Sequence, residues 1–218
     1  MVKTAEIEIT GSTPLLMHSD NIEWADFMDA WKNDPKNKKR SKPGDDRTPP
    51  WRWHGCLYHD GTVITIPSEN IMRCLMEAAV QVPTGKGQKT FKSQSQSGLL
   101  CREMHWRLFV KGKTISIDDV KALQDDEISF RDQMEQVKGL GFELFVKRAK
   151  IGQAKHVRVR PQFANWSLRG SITIADSQIT KEILQQFFEI GGMYKGLGDW
   201  RPGAKTPGPF GMFTAVVK

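Results

Sequence analysis

Between Leu144 and Arg169 the chain carries Lys147, Arg148, Lys150, Lys155, Arg158, Arg160 and Arg169, with no acidic residue among them. That density of cations suits a polyanion. Lys and Arg neutralise phosphates and release their counterions, so binding of this kind weakens steeply with salt. In the second half the order is Lys155-His156-Val157-Arg158-Val159-Arg160. On a strand, such alternation sends His156, Arg158 and Arg160 to one face and Val157 and Val159 to the other. Reversing the charge of Arg158 and Arg160 should then abolish oligonucleotide binding and leave the fold intact.

Other residue types point to other chemistries. His18 follows the first predicted strand, where it could act in general acid–base cleavage, but that chemistry needs a second group within hydrogen-bond reach. Asp20, Asp26 and Asp29 lie close in sequence and fit the solvated start and face of a helix equally well. Binding without catalysis is the expectation. For a metal, Cys56 and His59 form a C-x₂-H pair and Cys101 and His105 a C-x₃-H pair, with His54 nearby, and zinc accepts such spacing. Cys56 and His59 fall on a predicted hairpin arm, whose alternation turns them to opposite faces. Ordinary thiols and histidines are expected, with no metal and no cofactor. The run Gly85-Lys86-Gly87-Gln88-Lys89-Thr90 follows a helix and lacks the G-x₄-G-K-[ST] order, which excludes a nucleotide-phosphate loop of that kind.

The segment Gly196–Phe213 reads GLGDWRPGAKTPGPFGMF, with five glycines and three prolines. Glycine is permissive at positive φ and proline lacks an N–H, so this is neither helix nor central strand. A loop of this length in a compact domain is functional or disordered. Trp200, Phe210 and Phe213 are poor linker residues, which favours function. Exposed amides beside Arg201 would suit an anion. Trp200 next to Arg201 would suit a stacked base, and Trp200 fits a core position equally well.

Length and composition set the frame. A chain of 218 residues with 39% hydrophobic residues supports one domain with insertions. The net charge of +7 and pI near 9.3 favour a polyanionic partner. No apolar run approaches the roughly 18 residues of a membrane span. The opening MVKTAEIEIT alternates like a strand rather than a signal peptide, and three cysteines suit a reducing cytoplasm.

The elements that must position these residues follow from periodicity. Ala5–Thr10 is a half-buried strand, and Glu23–Trp31 is a short amphipathic helix carrying Trp24, Phe27, Met28 and Trp31. Residues 33–50 form a polar insertion, and the cluster Lys36, Lys38, Lys39, Arg40 and Lys42 reads as a solvated charge run. Asp60-Gly61 predicts a tight hairpin between Cys56–His59 and Thr62–Ile66. Ser68 is the expected N-cap of a helix to about Val82, buried through Ile71, Leu75, Ala78 and Ala79, with Arg73 on the opposite side. A second flexible insertion spans 83–98, with Lys86, Lys89 and Lys92 around Phe91; these lysines and Arg73 join the candidate binding cations. Strands follow at Met104–Val110, Leu144–Lys150, Lys155–Arg160 and Trp166–Ala175, with a short helix at Ile117–Asp126. Ile151-Gly152-Gln153 is the turn of the basic hairpin. Thr180 caps a helix ending at Gly191-Gly192, and Met212–Val217 is the last strand. Strand, helix, strands, helix, strand predicts an α+β fold of ferredoxin-like (RRM-like) βαββαβ order, with an antiparallel sheet whose free face could meet nucleic acid.

Three stretches taken together resemble the RAMP superfamily of CRISPR-associated proteins, especially the backbone subunit that coats guide RNA. They are the first strand with ITGSTPLLMHS, the strand–turn–helix IPSENIMRCLMEAA over Ile66–Ala79, and the glycine-rich GLGDWRPGAKTPGPFGMF. The combination of PLLMH, RVRP and GLGDWRP is also similar to a group of uncharacterised phage and prophage proteins, and that match is the closer one. Glu69 departs from the guide-RNA subunits, where Lys or Ser is expected at Glu69 and Asn70. The resemblance implies an RRM-like domain that binds single-stranded RNA or DNA and self-associates along it, in the cytoplasm and with other CRISPR effector subunits as partners. It equally admits a RAMP endoribonuclease that processes CRISPR RNA, or a phage protein that engages host CRISPR machinery.

Overall fold

The computed structural model describes residues 2–40, 42–151 and 153–218. In chain order the elements are β1 (Lys3–Gly11), β2 (Leu15–Leu16), α1 (Ile22–Asn33), a 3₁₀ turn (Arg52–Cys56), β3 (Thr65–Pro67), α2 (Ser68–Ala79), α3 (Lys92–Gly98), β4 (Leu99–Cys101) and β5 (His105–Val110). There follow α4 (Ile117–Lys121), α5 (Phe130–Gly139), β6 (Glu143–Ile151), β7 (Ala154–Phe163), β8 (Trp166–Ile174), α6 (Lys181–Ile190), a π-helical turn (Gly191–Lys195) and β9 (Phe213–Val217). The larger sheet runs β3-β5-β8-β1-β9, with β4 also beside β8, and the smaller runs β2-β7-β6. Every pairing of these strands is antiparallel, so the fold is α+β with antiparallel sheets.

Alternation along each strand builds the core. Ile7 and Ile9 of β1, Leu168 and Ile172 of β8, and Trp106 and Leu108 of β5 are all buried. Onto them pack Ile71, Leu75 and Ala78 of α2 and Leu184, Phe187 and Phe188 of α6. At roughly 1.5–3 kcal/mol for each large apolar side chain, this burial is what holds helices to sheet. The outward face is different in character. Glu6 and Glu8 of β1 stand there, Arg169 lies opposite Glu8 and 3.7 Å from its carboxylate, and Lys218 takes the other oxygen at 2.8 Å. Arg169 therefore stands on a different sheet from the β6–β7 cations and is opposed by acid, and with Arg107 exposed on β5 the free sheet face carries charges of both signs.

Several expected boundaries shift for identifiable reasons. Pro67, not Ser68, is the N-cap of α2, and the helix closes at Ala79. At Asp60-Gly61 a turn does form, because the Asp60 carboxylate accepts from the Thr62 and Val63 amides, but only His59 and Ile64 bridge across it. The helix expected over Ile117–Asp126 is the shorter α4. Residues 83–98 are not loop throughout: Phe91 is buried and leads into α3. α6 does end at Ile190 with Gly191 as its C-cap, but the chain goes on through a π-helical turn to Lys195 and turns out only at Gly196, with φ 69°. Gly192 is required for another reason: a Cβ there would collide with the Phe213 carbonyl oxygen of β9. The turn residue Gly152 of the basic hairpin lies outside the described residues.

The insertion at 33–50 is also not a free solvated run. Val157 donates to the Gly44 carbonyl at 2.8 Å and Asp46 donates to the Val157 carbonyl at 2.9 Å, so residues 44–46 pair with the outer part of β7. Asn37, Asp46, Pro49 and Pro50 are buried. The cations of its lysine cluster stay mostly exposed while the backbone beyond them is held.

Candidate nucleic-acid interface

Residues directly opposite one another in an antiparallel pair share a face. The register of β6 with β7 places Phe145 opposite Arg160, Lys147 opposite Arg158 and Ala149 opposite His156. On the other face Arg148 lies opposite Val157 and Lys150 opposite Lys155. The stripe of His156, Arg158 and Arg160 is present as the alternation predicts. The full set of basic residues is divided: Lys147, His156, Arg158 and Arg160 to one side, Arg148, Lys150 and Lys155 to the other.

The glycine-rich segment comes to the first of these faces and is fixed there by its backbone. Asp199 donates its amide to the Leu16 carbonyl at 2.8 Å, Gly211 to the Pro14 carbonyl at 2.8 Å, and Leu197 to the Gly211 carbonyl at 2.9 Å. Gly198 has φ 76° and lies so close to the Leu16 carbonyl oxygen that any Cβ would strike it. Between this segment and the ribbon opens a trough of about 390 Å³. Phe145, Lys147, Arg158 and Arg160 form one wall, Asp199, Trp200 and Lys205 the other, and Leu16 lies at the junction. The volume falls within the roughly 300–1,000 Å³ of small-ligand sites. Trp200 lies with its ring centroid 5.5 Å from that of Phe210 and 6.2 Å from that of Phe145, and the Lys147 ammonium is 3.0 Å from its ring centroid. This is a cation over an aromatic face. A base entering the trough would displace a flexible lysine to reach it.

Arg158 and Arg160 are not free cations. The Asp46 carboxylate, 8% exposed, is 3.3 Å from the Arg158 guanidinium, 3.5 Å from that of Arg160 and 3.4 Å from that of Arg52 on the 3₁₀ turn. Arg160 also meets Asp199 at 3.2 Å through Nε. Charge reversal at Arg158 and Arg160 would leave Asp46 buried with Arg52 as its one remaining counter-ion and set two new carboxylates against it, at a cost of about 3–5 kcal/mol, so the double variant is expected to lose stability rather than keep the fold intact. Asp46, Asp199, Arg52 and Phe145 were the residues to find. Glycine-rich spacing flags Asp199 weakly, but no local pattern joins Asp46 to Arg158 and Arg160, 112 and 114 residues away.

His18 belongs to the same cluster. Its Nε2 lies 3.2 Å from Nη2 of Arg160, and its Nδ1 lies 3.9 Å from Asp199. A guanidinium only donates, so Nε2 is the lone-pair nitrogen and Nδ1 carries the proton. Burial first and Arg160 second hold the His18 pKa below the ordinary imidazole value, with Asp199 opposing. Its basic nitrogen is thus engaged by an arginine. The remaining sequence candidates lie elsewhere. Arg73 pairs with Glu77 at 2.6 Å, and Arg201 turns to the same carboxylate at 2.9 Å rather than toward a base on Trp200. Lys86, Lys89 and Lys92 do not line the trough.

Among the described residues no three His, Cys, Asp or Glu side chains converge on a point where a metal ion could bind. Cys56 abuts Val159 and Arg160, Cys101 abuts the Ser68 carbonyl, and His105 faces Thr65. Burial raises the Cys56 thiol to about 11 and those of Cys74 and Cys101 to about 12, far from the thiolate a ligand or nucleophile requires. No helix among the described residues is long and apolar enough to cross a membrane.

No family model matches the sequence, and no curated protein matches it either. The three stretches PLLMH, RVRP and GLGDWRP nevertheless meet in space, at His18, Arg160 and Asp199.

Proposed function

We propose that this chain is a non-catalytic, single-stranded nucleic-acid-binding protein of RAMP type, taking the strand through the trough between the β6–β7 ribbon and the glycine-rich segment. One observation carries it: Phe145 and Trp200 line the trough together with Lys147 and Lys205, two cations with no carboxylate partner among the described residues. Stacking on an aromatic ring contributes about 1–3 kcal/mol per base and tolerates any base, while lysines hold the backbone. RNA and DNA both satisfy this chemistry.

A ferredoxin-like reading of the core is part of the proposal. Taking β1, α2, β5, β8, α6 and β9 as the βαββαβ unit gives the sheet order β9-β1-β8-β5, with α2 packed against α6. Cleavage is not favoured, because the lone pair of His18 is already directed at Arg160. A guide-RNA role and assembly along the strand rest on the sequence resemblance.

The test is Lys147→Glu with Lys205→Glu. Both side chains are exposed, so the fold is expected to hold. Binding of a single-stranded oligonucleotide at low salt should fall by tenfold or more, about 1.4 kcal/mol. Undiminished binding of the double variant would remove the trough from the proposal.

A further inference from the structure

Arg158 and Arg160 line two cavities. One is the trough; the second, about 240 Å³, opens between α1, the 3₁₀ turn and β7. In this second cavity three guanidiniums share the single carboxylate of Asp46, at 3.3, 3.4 and 3.5 Å. A well-formed charge-assisted N–H···O bond is about 2.7–2.9 Å, so none of the three pairs is tight. Each guanidinium has five donors; Arg160 spends most of its own on Asp46, Asp199, the Val159 carbonyl and His18, whereas Arg52 and Arg158 meet only Asp46 among the described residues.

The charges leave room for another anion. Against Arg52, Arg158 and Arg160 stand Asp46 and, on the far edge of Arg160, Asp199. At the rim Lys32 and Asp29 neutralise each other at 3.1 Å, and Asp20 is exposed. His18 faces Arg160 with its lone pair and adds no charge when neutral.

We propose that this cavity seats the terminal phosphomonoester of the strand whose bases occupy the trough. The inference rests on the trough reading above. A phosphomonoester brings a charge of about −1.5 to −2 and three acceptor oxygens, against one charge for an internal phosphodiester. The planar forks of arginine match that acceptor array. At about 240 Å³ the cavity is smaller than the roughly 300 Å³ at which small-ligand sites begin, and Arg158 and Arg160, which line both, place it directly beside the trough.

The experiment compares fluorescence anisotropy of one short oligonucleotide carrying a 5′-phosphate, a 3′-phosphate or hydroxyls at both ends. One phosphorylated end should bind about tenfold tighter than the hydroxyl form, the contribution of one charge-assisted hydrogen bond or more. Arg52→Gln, outside the trough, should erase that preference; if it does not fold, Arg52→Lys, which keeps the charge and loses the fork, should reduce it. Inorganic phosphate should raise the melting temperature of the Lys147→Glu, Lys205→Glu variant, whose seat is intact. Equal binding of all three ends, with strand binding preserved, overturns the seat and leaves the trough standing. Absence of any strand binding by the wild type overturns both.

Discussion

The two faces of the β6–β7 ribbon carry similar numbers of cations and place them in opposite circumstances. On the trough face Arg158 and Arg160 are half-buried, share Asp46, and are enclosed by chain from both ends of the sequence. On the other face Arg148, Lys150 and Lys155 extend into solvent beyond the buried base of Leu144 and Val159, with no carboxylate partner among the described residues. One set is held in the structure by a shared buried anion; the other supplies field without shape. Charge density along a sequence does not distinguish them.

The largest way to break this contrast is Asp46→Ala. The substitution leaves Arg52, Arg158 and Arg160 crowded without their shared anion and frees the Val159 amide that Asp46 accepts at 3.4 Å. Because the guanidiniums are partly solvated, the cost should lie near the lower end for a broken buried pair, about 3 kcal/mol. For a chain of this length that lowers the melting temperature by roughly 6–12 °C. Thermal unfolding at wild-type temperature would mean that the two faces are equivalent after all.

A second test uses acid on the cover of the trough face. His54 sits in the 3₁₀ turn that supplies Arg52, with its ring 4.2 Å from that of Trp53 and 5.6 Å from that of Trp24. Burial pushes its pKa down to about 3, so the folded state holds it neutral. Below about pH 6.5 the unfolded chain takes up a proton that the folded chain refuses. Stability should therefore be flat above that pH and fall between 6.5 and 3, by up to about 1.4 kcal/mol per pH unit. His18 adds in the same direction. Urea midpoints between pH 6.5 and 5, above the range where carboxylates held low, such as Glu77 and Glu103, add their own loss, check it for wild type and His54→Phe: the variant should lose most of the slope in that window. An identical slope would place the titrating group elsewhere.

Much of this was legible in the chain, and the limits are physical. Alternation gave β1, β5, β8 and the two ribbon strands because each buries one face. The glycine-rich segment was marked by composition, since aromatic residues among glycines and prolines seldom belong to a linker. Among what was missed were α3, α5 and Asp46. Helix α5 had a local signal, Ser129 followed by Asp132, with Phe130, Met134 and Val137 at helical spacing; the Ser129 hydroxyl indeed caps the Asp132 amide. Asp46 had none, because it follows a cluster of lysines and two of its three arginine partners come from β7. Which cations remain free is decided by tertiary pairing, and the same holds for Arg201, drawn to Glu77 rather than to its neighbour Trp200.

The smallest expected effect sharpens the contrast most. Replacing Arg148, Lys150 and Lys155 together by Gln removes three exposed cations that contact no acid, so stability should change by no more than about 0.5 kcal/mol. Strand affinity should fall only modestly, because these residues neither line the trough nor touch Trp200. Their field still reaches across the thin ribbon, within a Debye length of about 8 Å at physiological salt. Loss should therefore appear at low ionic strength and vanish as salt rises, which makes the slope of log affinity against log salt shallower than in the wild type. In Lys147→Glu, by contrast, the deficit should persist at every salt concentration, since a negative charge then sits against the ring a base must reach. If the triple variant lost as much affinity as the trough variant, and lost it at all salts, the strand would run over the solvent face and the trough would be bystander.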